Sequence, residues 1–93
     1  MNNQIAVDLK EVTNAINRIR SRPASEALTS DVIREYMGGF YANVGVAVNI
    51  SWNAQFGRIL SNNSELLGIK EMKSGRRIKD DCERETTSSL WSL

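Results

Sequence analysis

The chain has 93 residues, of which 41% are hydrophobic and 25% are charged, and its formal net charge is +1. These values predict one folded domain over residues 1–93 and exclude both a disordered chain and a uniformly basic nucleic-acid binder. The sequence contains no histidine, which excludes Ser–His–Asp triads, Cys–His dyads and most zinc sites.

The first half of the chain predicts two helices. Apolar residues recur at spacings of three and four over residues 7–20, so they share one helical face, and Pro23 follows the end of that helix. A second helix is predicted to begin at Ser30 or Asp31, both good N-cap residues, and its apolar stripe is interrupted at Gly38 and Gly39. Residues 43–50 alternate weakly and predict a turn with one short strand.

The second half predicts a third helix and three strands. Ser51 is a suitable N-cap for a helix over residues 52–63, whose apolar face carries Trp52 and Phe56. Residues 69–73 and 76–80 alternate like strands around Ser74 and Gly75, which predicts a β-hairpin turning at that dipeptide. A closing strand is expected over residues 86–93. The predicted fold class is α+β, with three helices followed by a hairpin and a last strand, and with both aromatic residues and Trp91 in the core.

Charge is distributed unevenly along the chain. Residues 51–79 carry six basic residues against two acidic ones, a net charge of +4 that the total of +1 conceals. Residues 80–93 carry Arg84 against four acidic residues, a net charge of −3. The sequence therefore places a basic segment beside an acidic one.

The order of these elements resembles a known fold family. The run from Ser51 to Leu60, the following Leu67-Gly68-Ile69, the basic Gly75-Arg76-Arg77 and the late Trp91 resemble the recognition helix and wing of winged helix-turn-helix domains. The spacing and residue types of these motifs are most similar to those of small winged-helix modules of phage and plasmid replication proteins. The resemblance covers residues 30–93. The resemblance implies double-stranded DNA as the partner and a role as a transcription regulator or accessory factor of a mobile genetic element.

Candidate DNA contacts follow from what each side chain offers. On the exposed face of the third helix, Gln55 and Asn62 suit adenine, Arg58 suits guanine, and Ser51 at the helix N-terminus suits a phosphate. In the basic wing, residues 70–79, the cations expected to reach phosphates or the minor groove are Lys73, Arg76, Arg77 and Lys79. The alternative interpretation, without any DNA contact, is that these polar residues only face solvent.

Two other functions stay open at this point. A protein-interaction adaptor would fit the weak total charge, particularly if the acidic segment folds beside the basic wing and neutralises it. A small hydrolase would have to use Asp80 and Asp81, the one adjacent acidic pair.

We also expect several general properties of the chain. It is expected not to be an enzyme and to need no cofactor or metal. The apolar stripe of the first helix is large for so small a domain, which predicts a homodimer through residues 7–20. The chain has one cysteine, so no internal disulfide can form, and it has no apolar run of about 20 residues. A cytoplasmic location without a membrane partner is therefore expected.

Overall fold

The computed structural model describes residues 7–41 and 51–93. Its elements are α1 (Leu9–Arg20), β1 (Glu26–Leu28), α2 (Thr29–Met37), α3 (Trp52–Asn62), α4 (Ser64–Leu67), β2 (Lys70–Lys79) and β3 (Glu85–Ser92). The predicted α+β class is confirmed. The turn and strand predicted over residues 43–50 lie outside the described residues.

The first helix ends at Arg20 as predicted but begins at Leu9, two residues later than the sequence predicts, and its apolar stripe packs inside the chain. Asp8 is the N-cap, and its Oδ1 accepts a hydrogen bond from the Lys10 amide at 2.9 Å. The stripe is buried against the rest of the core, with Val12 and Ala15 at 0% exposure and Ile16 and Ile19 at most 4% exposed. The stripe of α1 therefore packs within the chain, and a homodimer through residues 7–20 stays a prediction.

The second helix begins at Thr29, so its N-cap is Leu28 and not the predicted Ser30 or Asp31, and it ends at the glycine pair. The Asp31 carboxylate accepts a hydrogen bond from the Leu28 amide at 2.9 Å, which stabilises the first turn. Gly38 adopts a left-handed conformation with φ of 89°, and its amide donates to the Arg34 carbonyl. Glycine reaches this conformation without a steric penalty, so Gly38 terminates the helix.

The third helix contributes the centre of the core. Phe56 and Leu60 are fully buried, and the Phe56 ring packs against Tyr36 of α2 and stacks with Trp52, with ring centroids 5.6 and 5.2 Å apart. Trp52 is only half-buried, whereas Phe56 and Trp91 are core residues as predicted.

The three strands form an antiparallel sheet in the order β1-β3-β2. The central strand is β3, which lies opposite β1 through pairs such as Ala27–Trp91 and opposite β2 through pairs such as Arg77–Thr87. Trp91 is 2% exposed, and its indole Nε1 donates to the Thr29 hydroxyl at 2.7 Å. The Ser30 amide also donates to the Ser88 hydroxyl at 3.1 Å. These two hydrogen bonds join the sheet to the start of α2.

The position of the predicted hairpin turn is wrong. Residues 74 and 75 lie within the continuous strand β2, at one of two register shifts in its pairing with β3. Gly75 has φ of 69°, which suits the extra residue of a bulge as well as it suits a turn. The chain reverses instead over residues 80–84, where the amides of Cys82 and Arg84 both donate to the Asp80 carboxylate. A side chain that satisfies two turn amides stabilises the reversal at that point.

Candidate nucleic-acid interface

A groove of about 490 Å³ lies between α3 and the β2–β3 hairpin. One wall is the exposed side of α3, including Ala54, Gly57, Arg58 and Ser61. The opposite wall is formed by Gly75 of β2 and by residues 86–89 of β3. Arg58 and the centre of the basic strand therefore border the same groove.

Ser51 caps α3 as predicted. Its hydroxyl accepts a hydrogen bond from the Ala54 amide at 3.4 Å, and the residue is 8% exposed. A buried hydroxyl that serves the helix N-terminus is poorly placed to hold a phosphate, so the prediction of a phosphate contact at Ser51 does not agree with its burial.

Gln55 does not lie on the exposed face of α3, which corrects the sequence interpretation. It is 7% exposed and belongs to the buried side of the helix together with Phe56 and Leu60. Residues four apart lie on the same side of a helix, so Gln55 shares a side of α3 with Ser51 and Ile59. The buried side of α3 is therefore wider than its apolar residues alone suggest. Arg58 and Asn62 are also four residues apart, and both are exposed.

The four predicted phosphate contacts on β2 fall into two groups. Lys73, Arg76 and Arg77 are exposed and make no ion pair with any of the described residues. Lys79 lies 3.7 Å from the Glu83 carboxylate and opposite Glu85 in the sheet. These acids offset the charge of Lys79, which makes it the weakest of the predicted phosphate contacts.

The two aspartates of the acidic segment are engaged away from the groove. Asp80 is buried at 4% exposure and pairs with Arg84 at 3.1 Å. The two Asp81 oxygens accept hydrogen bonds from the Phe40 amide at 2.9 Å and from the Arg34 guanidinium at 2.8 Å. These donors, the amide first, hold the pKa of Asp81 below its ordinary value. Neither aspartate lines the groove, so they do not neutralise the basic strand from within it.

One acid does enter the groove. Glu71 lines it near the start of β2, and its carboxylate accepts a hydrogen bond from the Ser89 hydroxyl at 2.6 Å. Its charge lies at the opposite end of β2 from the turn, separated from Arg76 and Arg77 by the two register shifts.

The sequence analysis missed the hydroxyl-rich wall of the groove. Thr86, Thr87, Ser88 and Ser89 line it, although this run reads as part of an irregular closing strand. The strand register is the signal that could have revealed this wall. With the turn at residues 80–84, the run falls opposite Arg76, Arg77 and Ile78. Hydroxyls that line a groove can bind phosphate oxygens or base edges.

Residues 7–41 and 51–93 contain neither a metal-binding cluster nor a membrane-spanning helix. In these ranges no three histidine, cysteine, aspartate or glutamate residues are grouped so as to hold a metal ion. No helix in this part of the chain is long and apolar enough to span a bilayer. No protein-family model, curated protein or solved structure matches the chain.

Proposed function

We propose that this chain is a DNA-binding module that holds double-stranded DNA against α3 and the basic strand β2. The observation that carries the proposal is the shared groove, which brings Arg58 of α3 and Gly75 of β2 to opposite walls. Arg76 and Arg77 follow Gly75 directly and are exposed. A helix beside a cationic strand is an arrangement that meets both a groove and the phosphates flanking it.

The topology supports a winged helix as the finer description of the fold. The order helix, strand, three helices and then a hairpin, with β3 between β1 and β2, is compatible with that layout. In this proposal α3 is the recognition helix, and the β2–β3 hairpin is the wing.

The proposed contacts are a reduced set of those predicted from sequence. Arg58 suits a guanine and Asn62 an adenine, because both are exposed one helical turn apart. Lys73, Arg76 and Arg77 would bind phosphates, while the hydroxyls of residues 86 and 87 add neutral donors. Ser51 and Gln55 are left out because they are buried, and Lys79 because Glu83 and Glu85 lie beside it.

Fluorescence anisotropy at low salt tests the proposal, using a labelled duplex enriched from a random-sequence pool by the wild-type protein. Arg58→Ala is expected to weaken binding by about 5- to 160-fold, because a bidentate arginine–guanine contact is worth about 1–3 kcal/mol. Arg58→Lys keeps the charge but loses the fork of donors, so it should recover only part of the affinity.

The matched control is Lys10→Ala, which removes one exposed cation from α1 and leaves the groove unchanged. It is expected to bind DNA like the wild type. Failure of every duplex to bind at low salt would refute the proposal, and so would unchanged affinity in both Arg58→Ala and the double variant Arg76→Ala/Arg77→Ala.

A further inference from the structure

Among the described residues, the sheet leaves one long strand, β2, with an unpaired edge. Because the order is β1-β3-β2, only one edge of β2 is paired, and no other strand of the described residues lies against its second edge. β2 has ten residues, nine of which are exposed. An unpaired edge presents a row of backbone N–H and C=O groups that can accept another strand.

The charge on β2 restricts which strand that is. Its five cations, set against Glu71 alone, are Lys70, Lys73, Arg76, Arg77 and Lys79. Pairing β2 with the same strand of a second copy would place cations against cations, which is unfavourable across a sheet. A strand rich in glutamate or aspartate would place opposite charges together instead.

The pairing register locates the usable part of the edge. The two register shifts fall between Glu71 and Arg76, whereas residues 76–79 pair one by one with residues 88–85 of β3. Regular extended backbone over these four residues turns the N–H and C=O groups of alternate residues toward the free side. Arg76, Arg77 and Lys79 stand within this regular stretch.

We propose that the free edge of β2 at residues 76–79 binds an extended acidic segment of another protein as a fourth strand of the sheet. The main-chain hydrogen bonds would come from the edge, and the selection for acidic residues from Arg76 and Arg77. This proposal does not depend on DNA binding. If both hold, the acidic strand would occupy the phosphate-binding cations and compete with the duplex.

The experiment uses the whole chain and an eight-residue peptide of alternating glutamate and valine, with binding measured by calorimetry and by backbone amide shifts. Two control peptides carry N-methyl groups, one on every glutamate and the other on every valine. Successive backbone amides of a strand point to opposite edges, so only one of the two N-methylated peptides is blocked along the edge that meets β2. That peptide is expected to bind about tenfold more weakly or worse, while the other binds like the parent.

Shifts concentrated at residues 76–79 and a weaker affinity of Arg76→Ala/Arg77→Ala for the parent peptide are also expected. Equal affinity of all three peptides would show that charge alone is responsible and would overturn the proposal. No binding of the parent peptide, or an equal loss with both N-methylated forms, would overturn it as well. Because no DNA is present, none of these results depends on the DNA-binding proposal.

Discussion

Replacing Thr29 by valine is expected to destabilise the fold through one buried hydrogen bond. The Thr29 hydroxyl accepts from the Trp91 indole at 2.7 Å, and the two residues are 7% and 2% exposed. Valine has nearly the same shape, so it removes the acceptor without opening a cavity. The indole N–H is then buried without a partner.

The size of this effect follows from the asymmetry of buried hydrogen bonds. An unsatisfied buried donor costs about 1–3 kcal/mol, whereas removing both partners together is close to neutral. In a domain of this length a loss of 1 kcal/mol lowers Tm by about 4–8 °C. We therefore expect Thr29→Val to lower the free energy of unfolding by about 1–3 kcal/mol.

Urea unfolding followed by far-ultraviolet circular dichroism measures this change, because its signal does not depend on either tryptophan. The same substitution is then made in a Trp91→Phe background, which has no indole donor. There we expect Thr29→Val to cost much less, so that the double-mutant cycle shows the coupling between the two side chains. Equal unfolding midpoints for Thr29→Val and the wild type would refute this reasoning, and so would an equal cost in both backgrounds.

Three further predictions concern the glycines, the turn and the DNA contacts. Gly57→Ala should raise the free energy of unfolding by about 0.5–1 kcal/mol, because a Cβ there meets only Thr29 Cγ2 at 3.9 Å in an α-helix interior. Gly38→Ala should lower it by about 1–2 kcal/mol because φ is 89°, and equal effects of the two substitutions in thermal unfolding would contradict this explanation. The pKa of Asp81 is held below its ordinary 3.8 in the folded state. Its stabilising effect should therefore be complete above that pH and be lost as the pH falls through the lower folded value. Asp81→Asn should thus lower Tm at neutral pH but not in strong acid, and a Tm difference that persists in acid would argue against the carboxylate. If Lys73, Arg76 and Arg77 bind phosphates, log Kd should rise with log salt with a slope of about 3. The double variant Arg76→Ala/Arg77→Ala should reduce this slope by about 2, and a salt-independent affinity would count against the contacts.

The helices α1, α2 and α3 were predictable because each has a repeating apolar pattern, whereas the four-residue α4 was not predicted. The stripe of α1 and the N-cap at Ser51 are local signals that the structure has where they were expected, and Gly38, where the stripe of the second helix was predicted to be interrupted, is where α2 ends. β1 was not predicted, since three residues carry no period. It exists because residues 26–28 meet the free edge of β3, a contact between segments more than 60 residues apart.

The hairpin and the helix face required information that local patterns lack. A Ser-Gly dipeptide is compatible with either a bulge or a turn. The hairpin turns at residues 80–84 instead, where the Asp80 side chain accepts hydrogen bonds from two amides of the turn. The burial of Gln55 depends on how closely neighbouring elements surround α3, so its polarity alone was misleading. Of the predicted DNA contacts, Arg58, Asn62 and the three unpaired cations of β2 remain exposed, and their role stays a prediction.

The turn at residues 80–84 is fastened to the end of α2 in two ways. Asp81 receives the Phe40 amide and the Arg34 guanidinium, and its own amide donates to the Phe40 carbonyl at 3.0 Å. At its other end the hairpin is held by the hydrogen bond from Trp91 to Thr29 at the start of α2. Both ends of the hairpin are therefore fixed to the rest of the fold. The groove between α3 and the hairpin is therefore already formed before a ligand binds. Binding there costs little conformational entropy for ordering the strands. The accompanying disadvantage is that a ligand of the wrong shape finds little room to be accommodated.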